Sequence, residues 1–243
     1  MSTFAFTNLV TLVGGHDFTS DTREASLEAP FDERETTVFG NTGRQRKATL
    51  EDVEASQSGF WQAGTDAVDD AVFAMLGGTV QAVTQVPLGT EAAPAFMYQA
   101  RSFSYQLGDE IGSILPFELT LRGAKSNGSA GLVRGQYAKA RGSVSATGAL
   151  GSVLELGAPA AGQYVYATLH VLAAGTTITV DVESDDAAGF SDPTSRATIG
   201  PITTAGGTWM TRVAGPFSGE THWRFNVTAI TGTFVVAGAI GIK

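Results

Sequence analysis

The sequence predicts a mainly β protein carrying one flanking helix. Three observations lead there. The chain of 243 residues holds 30 Gly, and its second half is dominated by Gly, Thr, Val, Ala and Ser, a mix that suits short strands joined by tight turns. Many short runs alternate apolar with polar residues, the period of a half-buried strand. A single run, Thr65 to Met75, has the three-to-four-residue spacing of an amphipathic helix.

Each element follows from local pattern. Phe4 to Leu12 reads as a strand with Phe4 and Phe6 on one face, ended by Gly14-Gly15. Asp17 to Glu35 is acidic and fits either a solvated face or an interface. Thr36 to Phe39 and Thr49 to Val53 read as a hairpin whose tip is Gly40-Asn41-Thr42-Gly43, followed by Arg44, Arg46 and Lys47. An acidic segment therefore leads into a basic tip. That order suits head-to-tail contact between copies, and it also suits a solvated hairpin. In the helix, Thr65 is the expected N-cap, with Asp66, Asp69 and Asp70 at its positive end. Val68, Ala71, Val72 and Met75 form its apolar face, and Gly77-Gly78 is the expected stop.

Strands are expected at 78–87, 95–107, 114–122 and 132–139, with a turn at Lys125 to Ser129. A Gly-, Ala- and Ser-rich stretch, 141–162, marks a domain boundary, giving domains 1–158 and 159–243. Beyond it, strands are expected at 164–172, 177–183, 196–203, 208–213, 222–230 and 234–242. In these, Val165, Ala167, Leu169 and Val171 face inward, and His170, Asp181 and Glu183 face outward. Regular short strands between Gly, Asp and Pro turns indicate a β-sandwich.

Composition excludes several functions. There is no Cys, so disulfides, Cys-based zinc sites and thiol nucleophiles are ruled out. The net charge of −9 disfavours nucleic-acid binding, which needs clustered Lys and Arg. Only 16% of residues are charged, against roughly 25% in an average soluble protein, which fits a chain that hides surface against copies of itself. No run of about 18 apolar residues is present, so no transmembrane helix is expected. The first residues lack a positive segment followed by an apolar core, so synthesis without secretion is expected.

No catalytic constellation is visible. His16, His170 and His222 lie in no metal or nucleophile pattern and read as surface histidines. Asp181, Glu183, Asp185 and Asp186 are oxygen-rich but lack the spacing of a calcium loop. Trp209 and Trp223 read as core residues rather than a sugar-stacking surface. No cofactor is expected, and the chain reads as a non-enzyme.

Several stretches resemble the major tail proteins of siphophages infecting actinobacteria. They are Phe31-Asp32 through Phe39-Gly40, Gly59-Phe60-Trp61-Gln62-Ala63-Gly64, Val68-Asp69-Asp70-Ala71-Val72-Phe73, Tyr98 to Tyr105, Gly112 to Glu118, Leu169-His170-Val171, and the aliphatic end Val235 to Ile242. The similarity is spread over most of the chain and rests on no single short motif.

The resemblance implies a tail-tube-type β-sandwich or barrel in 1–158 with one flanking helix near 65–76. It also implies an arm near 36–53, and residues 159–243 as an Ig-like sandwich on the tube exterior. It implies self-assembly into six-membered rings, or three-membered ones if both domains line the tube. The rings stack into a virion tail tube that conducts DNA without specific binding. The implied partners are the tape-measure protein and the tail terminator, with assembly in the host bacterial cytoplasm and no membrane contact. Arg44, Arg46 and Lys47 become candidates for the inter-ring contact. Glu24, Glu28, Asp32, Glu33 and Glu35 become candidates for an acidic lumen or interface. A decoration protein or a carbohydrate-binding adhesion module is the alternative: a decoration protein would form no tubes, and an adhesion module would expose Trp209 or Trp223.

Overall fold

The computed structural model describes residues 8–64, 67–124 and 131–243. The expected N-terminal phenylalanines Phe4 and Phe6, the cap Thr65 with Asp66, and the turn at 125–129 lie outside these residues. In chain order the strands are β1 (Val10–Val13), β2 (His16–Asp17), β3 (Thr22–Glu28), β4 (Phe31–Glu35), β5 (Arg46–Glu51) and β6 (Glu54–Phe60). After the helix α1 (Val68–Met75) come β7 (Gln81–Val86), β8 (Pro94–Leu107), β9 (Pro116–Gly123), β10 (Val133–Val144) and β11 (Gly148–Glu155). The rest are β12 (Tyr164–Ala173), β13 (Thr177–Asp185), β14 (Thr194–Ile202), β15 (Gly206–Trp209), β16 (Val213–Ala214), β17 (His222–Thr231) and β18 (Phe234–Ile242). The architecture is predominantly β with one flanking helix, as the sequence predicts.

The chain does not divide at 158/159. Unit 1 gathers Met1–Asp21, Val80–Gln99 and Lys125–Lys243, and unit 2 gathers Thr22–Thr79 and Ala100–Ala124. The reason is long-range pairing. β10 pairs β18 and β11 pairs β17, so strands before the Gly-rich stretch share a core with the C-terminal end.

In unit 1, one sheet runs β15-β12-β18-β10-β8-β7-β1-β2, and a four-stranded sheet runs β11-β17-β13-β14. Between the two sheets lies an apolar core that includes Leu154, Leu169, Val180, Trp223, Phe225 and Val236. A second core, with Leu12, Met97, Tyr137, Tyr166 and Ala239, fills the other side of the larger sheet. That sheet curls until its ends meet. A Cβ at Gly15 would stand 2.7 Å from the Gly206 nitrogen, and one at Gly207 would stand 2.9 Å from the Gly14 Cα. Only glycine allows the two backbones so close.

β12 therefore has both faces covered, which overturns the outward placement of His170. Its side chain is fully buried. Nδ1 lies 2.8 Å from the Gly14 carbonyl, which can only accept, so Nδ1 carries the proton. Nε2 then accepts from the Thr84 hydroxyl at 2.8 Å, and Thr84 accepts from Thr168 at 2.7 Å. Burial pulls the imidazole pKa down to about 4.

Glu183 is also buried, although it shares the face of Asp181. The β13/β17 register runs unbroken from Val180 to Asp185, and the residue skipped in the β13/β14 pairing is Arg196 of β14. Its carboxylate accepts from Arg224 Nε and Asn226 Nδ2, each at 2.8 Å.

In unit 2, four antiparallel strands run β3-β6-β9-β8, with residues 100–107 of β8 taking part. α1 buries Val68, Ala71, Val72 and Met75, the face that its periodicity predicts. It is tied to β8 by the Tyr105 hydroxyl, which donates to Asp69 at 2.7 Å, and by Gly77 N–H, which donates to the Ser102 carbonyl at 3.0 Å. The Tyr105 bond holds the Asp69 carboxyl below its usual range. Gly77 leaves the helix at φ +65°, as a stop glycine should. The 36–39 strand is absent. β4 and β5 form the hairpin, and 36–45 is the loop between them.

Candidate assembly interface

The sheet of unit 2 is covered on one face, polar and exposed on the other, and open at both edges. Its registers define which side chains share a face, because residues directly opposite each other point the same way. Ala25, Gln57, Leu119 and Tyr105 form one cross-strand row of the covered face, and Leu27, Ala55, Leu121 and Ser102 form the next.

The other face carries three rows without a single apolar side chain. The first is Glu24, Ser58, Glu118 and Gln106. The second is Ser26, Ser56, Thr120 and Ser104, all hydroxyls, with Ser26 and Ser56 hydrogen bonded at 2.8 Å. The third is Glu28, Glu54, Arg122 and Arg101. Four carboxylates stand against two guanidinium groups, so the face is acidic. Alternation in β9 marks Glu118, Thr120 and Arg122 as outward in the sequence. Nothing local in the sequence places Glu54 and Arg101 in the same row.

At one edge β3 pairs only with β6. At the other edge, β8 receives Gly77 at Ser102, and residues 103–107 meet no described strand on that side. Open edges of this kind invite pairing with another chain.

The hairpin β4/β5 and its loop are solvent-exposed throughout residues 30–50. An isolated two-stranded hairpin is marginal in water. This one holds Phe31, Val38, Phe39 and Leu50 in the open. Among the described residues, every exposed large hydrophobic except Val153 lies in unit 2. The loop before β9 adds Ile111 and Ile114, and α1 adds Phe73.

The predicted acidic residues separate into two groups. Glu24 and Glu28 lie on the polar sheet face, whereas Asp32, Glu33 and Glu35 lie on the hairpin. There Glu33 meets Arg46 at 3.0 Å, and Glu35 stands opposite Arg46 in register. Lys47 stands opposite Arg34, and Arg44 lies in the loop. Within the arm, Arg46 thus meets acid, whereas Lys47 faces a like charge.

Two of the predicted carboxylates of unit 1, Asp181 and Asp185, are engaged by the protein. Asp181 accepts from Ser195 and Thr198, and Asp185 accepts from the Ala187 and Asp192 N–H groups. No group of metal-binding side chains occurs among the described residues.

No family model and no curated protein matches the chain. Among solved structures, a chain of the virion of a native gene transfer agent overlaps at 15% identity and a TM-score of 0.40, over 51% of this chain and 95% of that one. A chain of the anti-feeding prophage baseplate overlaps at 17% identity and a TM-score of 0.40, over 55% and 97%. The SPP1 Dit protein overlaps at 11% identity and a TM-score of 0.36, over 96% and 98%. Overlaps of this strength do not establish kinship.

Proposed function

We propose that this chain is a structural virion subunit that self-assembles into stacked rings forming a phage tail tube. The observation that carries the reading is the sheet of unit 2, covered on one face, polar on the other and unfinished on both edges. Joined edge to edge, copies bury those edges, and the joined sheets present one continuous polar wall. The resemblance to siphophage major tail proteins supports the same role.

Glu24, Glu28, Glu54 and Glu118 then face the lumen. Like charge keeps phosphate from adhering, while the hydroxyl row presents only short, neutral groups to a passing duplex. DNA passes without specific binding, and the tape-measure protein occupies the lumen during assembly. The tail terminator caps the finished tube. Residues 159–243 lie on the tube exterior. The chain works in the virion tail after assembly in the host cytoplasm.

The arm β4/β5 reaches the next ring. Exposed Phe31, Phe39 and Leu50 supply apolar area for that contact, and Arg44, Arg46 and Lys47 steer it. Reversing these three cations to Glu is expected to abolish tube growth while leaving single rings. Tubes of normal length from that variant would sink the role of the arm.

Negative-stain electron microscopy of the concentrated protein tests the whole reading. Rings or hollow tubes are expected, with top views giving the number of copies. Compact monomers at every salt and pH, also after addition of a tail-tip initiator, would overturn it.

A further inference from the structure

The row Glu28, Glu54, Arg122, Arg101 has its charges sorted by edge. The two inner members satisfy each other, with Arg122 donating to Glu54 at 2.8 Å. The two outer members, Glu28 on β3 and Arg101 on β8, have no ion-pair partner among the described residues. Each also stands directly opposite a like charge, Glu28 beside Glu54 and Arg101 beside Arg122. Like charges directly opposite in a sheet are unfavourable. Within one chain the arrangement is therefore poor, and it leaves an anion without an ion-pair partner at the open β3 edge and such a cation on β8 just before the open segment 103–107.

β3 and the 100–107 part of β8 run in opposite directions, because three antiparallel steps separate them. A second copy placed with its β3 beside β8 would extend the same antiparallel ladder along 103–107. The place beside Ser102 is taken by Leu76 and Gly77 of the same chain, so β3 of the second copy docks further along, with its Glu28 opposite Ser104 and diagonal to Arg101.

We infer that Arg101 and Glu28 form an ion pair between neighbouring copies and fix the register of the junction. The inference rests on the ring-forming reading and deepens it by naming the pair at the edge. An arginine side chain also reaches a diagonal neighbour, so a modest stagger between copies preserves the contact.

The experiment compares wild type with R101E, E28R and the double variant R101E/E28R by sedimentation and electron microscopy. Each single variant brings like charges together at every junction, and ring yield is expected to fall at least about ten-fold. The double variant restores opposite charges and is expected to regain rings. Each single change removes a like-charge neighbour inside the chain, so the monomers are expected to melt no lower than wild type. That separates lost assembly from lost folding. Wild-type rings together with unimpaired single variants, or a double variant that stays monomeric, would remove the pair while leaving the ring reading intact. A wild type that never assembles removes both.

Discussion

Replacing His170 with alanine is expected to lower stability by about 3 kcal/mol near pH 7.5, and by much less near pH 4.5. At neutral pH the imidazole is uncharged in both folded and unfolded chains. The variant then loses the full set of contacts. The Gly14 carbonyl loses its donor and Thr84 its acceptor, both inside the protein, and a cavity opens between β12 and β7.

As pH falls, the wild type loses this advantage. The unfolded His takes up a proton below its ordinary pKa of 6.5, whereas the folded one resists until about 4. The unfolded state binds more protons in that window, so stability declines as pH falls from 6.5 towards 4, by about 3 kcal/mol at the end. His170→Ala lacks that decline. Denaturant titrations of both proteins at the two pH values check it. An equal gap at both would show that the imidazole titrates normally.

Replacing Trp223 with alanine is expected to cost about 3–5 kcal/mol. Trp223 is wholly buried in β17 between the two sheets of unit 1. Its indole N–H donates to the Gly157 carbonyl at 3.0 Å, and its ring lies 6.1 Å from that of Phe217. The residue therefore fills the core and also pins the segment after β11. Trp223→Phe keeps part of the volume but not the hydrogen bond, so it should fall between wild type and Trp223→Ala. Chemical denaturation gives the ordering. A Trp223→Ala loss below about 1 kcal/mol would mean that the core collapses around the gap.

Trp223 was legible because strand alternation puts it inward, and α1 was legible because Val68, Ala71, Val72 and Met75 repeat at helical spacing. His170 was not. A polar residue alternating with Leu169 and Val171 reads as exposed whenever a sheet has one wet face. β12 has none, since a second core lies on its other side. The polar side chains there are tolerated because Thr84, Thr168, His170 and Gly14 satisfy one another across distant segments. Glu183 escaped for a different reason, since Arg224 and Asn226 of the neighbouring strand close over it on the outer face. The true units escaped because each is assembled from separated stretches of chain. The polar rows of unit 2 were half legible: Glu24, Glu28 and Glu118 stand out as charges, but only pairing register sets Glu54 and Arg101 beside them.

The number of strands in the sheet of unit 2 has a consequence of parity. An odd run of antiparallel strands, repeated around an axis, meets its own copy strand to strand in the same direction, so every junction is a parallel seam. Four strands give no seam for any number of copies. Strand pairing alone therefore sets no ring size. In rings of the kind proposed, the angle between successive copies sets it, and the irregularity in β8 between Ser102 and Ser104, where Phe103 is the extra residue, bends a strand that would contribute to that angle.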